Sequence, residues 1–110
     1  MEIKEDVITV IQKGNKLKFV MINDEIFANK WVDISNELLK KGENKWVATT
    51  LDLFGEICNK NEIYVIFNGN EPIQAYVNQQ NKAENTLKAL SESNSGTYKL
   101  QVISNIMEVE

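Results

Sequence analysis

The chain of 110 residues contains no histidine, no arginine and a single cysteine. Without histidine it lacks the usual general base near neutral pH and the commonest metal ligand. Serine and cysteine triads of the ordinary kind are therefore excluded. One cysteine and no histidine cannot assemble a zinc finger, a protease-type zinc site or the usual ligands of haem and iron–sulfur centres. No metal and no cofactor is expected. Without arginine the bidentate reader of phosphate, carboxylate and guanine is missing too. The formal net charge is −4, and nucleic-acid binding works by neutralising phosphates. Nucleic acid is not an expected partner. The abundance of Asn, Lys and Ile also matches an AT-rich coding bias, which by itself depresses arginine.

Cys58 cannot form an internal disulfide, which suits a reducing compartment. It reads as a small buried hydrophobe on the inner side of a short helix. No run of about 18 apolar residues exists, so no membrane-spanning helix is expected. The start, Met1 to Asp6, is acidic, unlike a signal peptide. A cytoplasmic location is the expectation. The hydrophobic fraction of 43% and charged fraction of 25% are those of a folded chain rather than a disordered one. The length suits one α+β domain over residues 1–110.

Residues 7–11 (Val-Ile-Thr-Val-Ile) form a β-branched strand. The turn at Gly14-Asn15 leads into a second strand over 17–22, making a hairpin. Phe27, Trp31, Ile34 and Leu38 recur at spacings of four, three and four. That predicts an amphipathic helix over 25–41 with this stripe in the core, stopped by Gly42. A short strand over 45–49 and a helix over 51–59 follow, the latter striped by Leu51, Phe54 and Cys58. A second hairpin, 62–67 and 71–77, turns at Asn68-Gly69-Asn70. A helix over about 81–92 opens on a capping-box pattern, Asn81 with Glu84. A last strand runs over 98–107.

The halves repeat one order of elements. Gly14 and Gly69 stand 55 positions apart, as do Asn23 and Asn78. This suggests ββαβ repeats over 7–49 and 62–107 joined by helix 51–59. The expected fold is thus α+β: an antiparallel sheet from two hairpins plus extra strands, with about three helices on one face.

The carboxylate pairs Asp33/Glu37 and Asp52/Glu56 have helical i,i+4 spacing, which fits solvated charges better than a dedicated cation site. The two Gly-Asn turns match no phosphate loop. Lys13, Lys16 and Lys18 cluster around the first turn, where they can meet an anionic ligand or simply guard an edge. Trp46 is a candidate interface anchor. Alternation along the second hairpin places Ile63, Val65 and Phe67 on one face, expected under the helices, and leaves Tyr64, Ile66 and Tyr76 on an open one. The candidate binding residues are therefore Tyr64, Ile66, Tyr76, Trp46, Lys13, Lys16 and Lys18.

The expected function is that of a small acidic, non-enzymatic binding protein. It would work by protein–protein contact, as an inhibitor, an immunity or antitoxin-like factor, or a phage-type anti-defence factor. Its partner would be another protein, of basic character, or a second copy of the chain. A small-molecule or nucleotide-binding domain with its site at a dimer interface is the alternative. An enzyme using only carboxylates and lysines is the third class.

Overall fold

The computed structural model describes residues 6–93, 96–103 and 106–107. Strands β1 (Val7–Lys13) and β2 (Lys16–Ile22) pair antiparallel across a two-residue loop. Gly14 takes φ +64° there, a conformation that costs glycine nothing. Helix α1 (Glu25–Glu37) follows, then β3 (Trp46–Gly55), which pairs antiparallel with β1. The order then repeats. Strands β4 (Ile63–Asn68) and β5 (Glu71–Val77) form the second hairpin. Helix α2 (Gln80–Ser93) leads to β6 (Tyr98–Ile103), which pairs antiparallel with β4. A two-residue strand, β7 (Ile106–Met107), pairs in parallel with β2.

The strand order is β6-β4-β5-β3-β1-β2-β7. Laid flat, seven strands would hold the two edges about 29 Å apart. Yet Ile103 on one edge and Ile106 on the other are separated by three chain steps, at most about 11 Å. The sheet must therefore curl until its edges approach each other. Its concave face becomes the main core: Ile8, Val10 and Val20 meet Leu53, Ile63, Val65, Phe67, Ala75, Val77 and Ile103. Both helices lie on the convex face. Helix α1 sits over Ile11, Phe19 and Met21, and α2 over Tyr64, Ile66 and Tyr76.

Several expectations change. The fold is α+β, but the sheet is mixed, with parallel pairings β3–β5 and β2–β7. The described residues hold two helices rather than about three. The expected helix over 51–59 is the second half of β3 and the loop beyond it. Leu51 and Leu53 face the core while Asp52 between them is exposed, which is strand alternation rather than a helical stripe. The backbone of Gly55 also sits at φ +118°, where a Cβ would stand 2.1 Å from the Val77 carbonyl oxygen. Cys58 consequently lies exposed in a loop. Asp52 and Glu56 share no helix face. Helix α1 ends at Glu37, earlier than Lys41, and the Asn36 side chain in its last turn holds both backbone groups of Trp46 (2.7 and 3.0 Å). Helix α2 begins at Gln80, so Asn81 lies inside it rather than capping it. The expected single strand over 98–107 comprises β6 and β7 on opposite sheet edges, and residues 104–105 between them lie outside the described residues.

The two halves coincide in detail. Hairpin turns, bulges and helix starts fall 55 positions apart: Gly14 and Gly69, Ile11/Gln12 and Ile66/Phe67, Ala28 and Ala83. Asn23 and Asn78 have positive φ, 58° and 55°. Each accepts a bond through its side-chain oxygen at the start of the first strand of its half, from Val7 N–H at 2.9 Å and from Glu62 N–H, just before β4, at 3.0 Å. Each backbone N–H returns the bond to the carbonyl of the same residue, at 2.9 Å in both cases. Asparagine tolerates the left-handed region better than alanine and supplies the oxygen. Asn23→Ala and Asn78→Ala should each cost about 1–3 kcal/mol by losing both advantages. Replacement by glycine, which keeps the φ and loses only the side-chain hydrogen bonds, should cost less. Urea unfolding of the four variants checks this order.

Candidate contact surface

The residues singled out from the sequence fall in three separate places. Tyr64, Ile66 and Tyr76 do not form an open face. They are 4%, 0% and 5% exposed and lie under α2, packed around Ala83. The set expected beneath the helices, Ile63, Val65 and Phe67, instead fills the concave core. The period of two was right but its direction was reversed, because curling gives the sheet a more apolar interior than its helix-covered side. Tyrosines suit the helix side because their hydroxyls reach its margin. The Tyr76 hydroxyl meets Thr86 Oγ1 at 2.8 Å, and the Tyr64 hydroxyl donates to the Glu62 carboxylate. That bond, then burial, then the nearby charges of Glu62 and Glu84, raise the Tyr64 phenol above its ordinary pKa.

Trp46 and Lys13 do meet. Trp46 is half-buried, edge-on to Trp31 at 4.8 Å, and Trp31 is edge-on to Phe19 at 5.0 Å. Lys13 Nζ lies 5.4 Å from the Trp46 ring and 2.9 Å from Glu43. The hydrogen bond from Lys13, helped by the Lys40 backbone N–H and by the lysine charge, holds Glu43 below the usual carboxylate range. This group of contacts ties the end of the first hairpin to the loop after α1. Lys16 and Lys18 are elsewhere, lining an open groove with Leu17, Gln101 and Val102. Among the described residues no three acidic or cysteine side chains gather as metal ligands would.

The surface that the sequence concealed is on α1. Phe27, Ile34 and Leu38, expected in the core, are 43%, 58% and 78% exposed. Trp31 is half-buried at their inner margin. The helix instead buries Ala28 and Val32. At 100° per residue the four larger side chains fall within about 60° of one another, centred roughly 110° around the helix from the Ala28–Val32 line. The small Ala28 lets the helix axis lie close to the sheet, so the broad stripe beside it is left facing sideways.

The second helix gives the control. The counterparts of Ala28 and Val32, 55 positions on, are Ala83 and Leu87, both packed inward. The counterparts of Phe27, Trp31, Ile34 and Leu38 are Lys82, Thr86, Ala89 and Ser93. The same scaffold therefore folds at α2 without a large apolar residue at any of the four positions. Folding alone does not account for the stripe on α1. Comparing the halves in sequence at this offset was the signal that could have exposed it.

Searches against protein-family models, curated proteins and solved structures find no match to this chain.

Two outcomes are expected. Leu38→Ala should change stability by less than about 0.5 kcal/mol, the usual range for exposed sites, whereas Ile66→Ala should cost about 2–5 kcal/mol. Thermal unfolding separates them. For Glu43 the folded-state pKa is lowered, so its pairing with Lys13 contributes at pH above the ordinary glutamate range and is lost as pH falls through the lowered value. An NMR titration should place its midpoint below that of an ordinary glutamate and move it upward in Lys13→Met.

Proposed function

We propose that this protein is a non-enzymatic binding protein that acts by protein–protein contact, and that the contact surface is the apolar stripe of α1. The observation carrying this reading is the contrast between the helices. Phe27, Ile34 and Leu38 are large, apolar and exposed, where α2 has Lys82, Ala89 and Ser93. Exposed apolar stripes lower solubility and are found where a partner covers them. Inhibitors, immunity or antitoxin-like proteins and phage-type anti-defence factors act through surfaces of this kind, in the cytoplasm. The partner's matching surface is apolar at its centre.

The repeated register supports a second inference. The two ββαβ halves descend from one duplicated unit, whose shared residues (the turn glycines, Asn23/Asn78, Ala28/Ala83) keep the scaffold. Divergence between the helices then gave one copy a binding face.

The test places the photo-crosslinking residue p-benzoylphenylalanine at position 34 or, as control, at position 89. Irradiated in the source cell, the chain carrying it at position 34 should yield a protein adduct of defined mass, and the chain carrying it at 89 should not. Equal adducts from both positions, or none from either, would refute the reading.

A further inference from the structure

We propose that the α1 stripe is occupied by the α1 stripe of a second copy, the two helices running antiparallel about a two-fold axis between Trp31 and Ile34. This rests on the contact reading above and names its partner.

The stripe has the spacing of a coiled-coil seam. Phe27, Trp31, Ile34 and Leu38 alternate steps of four and three, which keeps one line of side chains toward a facing helix. About the proposed axis, Phe27 lies opposite Leu38 of the second copy and Trp31 opposite its Ile34. Large side chains meet large ones along a stretch of roughly 17 Å.

Charge selects the antiparallel direction. Along the outer flank of the stripe stand Lys30 and Glu37, both exposed and seven residues apart. In an antiparallel pair Lys30 of each copy faces Glu37 of the other, twice by symmetry. The ends agree. Asp24 and Glu25 open α1, and Lys40 and Lys41 follow it. The same axis brings the acidic start of each α1 beside the end of the other, where the chain continues into Lys40 and Lys41. A parallel pair would set acidic start beside acidic start and basic end beside basic end. It would also align the helix dipoles, which the antiparallel pair opposes. The matching positions on α2 offer no such seam. One helix face is a small interface, so the dimer exchanges with monomer at accessible concentrations.

Sedimentation equilibrium from about 1 to 500 µM tests this. The wild-type chain should approach twice the monomer mass at the upper end. Ile34→Ser with Leu38→Ser should remain monomeric with an unchanged circular dichroism spectrum. Lys30→Glu and Glu37→Lys, which alter only exposed charges, should each weaken association by about tenfold, since each sets like charges together twice. Mixed in equal amounts, the two charge variants should associate as well as wild type, because each then faces its complement. A wild-type chain monomeric throughout overturns the proposal, as does a dimer indifferent to the serine variants. A dimer lost in the serine variants but not restored by mixing the charge variants overturns the antiparallel arrangement. A monomeric wild type that still crosslinks to another protein from position 34 sinks this inference while leaving the contact reading standing.

Discussion

Strand β3 belongs to both halves. Its first seven residues pair with β1, and Leu53, Phe54 and Gly55 continue onto β5 of the second hairpin. In return, Ile106 and Met107, which follow β6 at the end of the second half, pair with β2 of the first. Leu53 meets Ala75 and Ile106 meets Val20, positions again 55 apart on the receiving strands. This reciprocal exchange curls the sheet and makes the concave core. Neither hairpin alone could bury Val10 or Val65 on that side. The Gln12 side chain adds a polar tie between the halves, donating to the Asn70 carbonyl at 3.0 Å across the hairpin tips. Gly55 follows from the same constraint, for only a residue without Cβ lets β3 pass the Val77 carbonyl.

Because the core lies between the halves, each helix is needed to cover only a narrow outer strip. Ala28 and Ala83, both fully buried, fix how closely the helices sit. Beyond these residues and the contacts flanking them, such as Trp31 with Trp46 and Thr86 with Tyr76, much of each helix surface is free of structural duty. On α2 that freedom is taken up by Lys82, Ala89 and Ser93, and on α1 by Phe27, Ile34 and Leu38. The exposed charges of Lys30 and Glu37 border the α1 stripe while leaving its centre apolar.

Local chemistry was readable from the chain alone where it was decisive. The β-branched run from Val7, the Gly-Asn turns at 14 and 69, and both hairpins followed by a helix needed no tertiary information. Two things did. The direction of an alternating strand depends on which face is buried more deeply, and Tyr64 and Ile63 are both apolar enough for either. The depth of a helix depends on its smallest contact residue. A stripe of Phe, Trp, Ile and Leu outweighs Ala28 in any reading of hydrophobic periodicity, yet close approach is governed by Ala28. Residues 51–59 failed differently. Leu51, Phe54 and Cys58 imitate helical spacing, while Leu51 and Leu53 carry the strand alternation that the fold uses. Of the candidate site residues, Lys13 and Trp46 do come together, but as part of the scaffold holding the loop after α1. Lys16 and Lys18 stand apart from them.

The pairing of β7 with β2 has a consequence for how the chain acquires this shape. Strand β2 is made long before its outer neighbour, Ile106–Met107, which follows more than 80 residues later. Until those residues emerge, the edge of β2 stands unpaired and the concave apolar face, with Val20 and Leu17 on it, is open to water. Contacts this distant along the chain form slowly, since the intervening loop must close first. The nascent chain is thus most prone to aggregation just before its last strand arrives, and its lysine-rich first hairpin, with Lys16 and Lys18 on the waiting strand, is placed where charge best discourages the wrong neighbour.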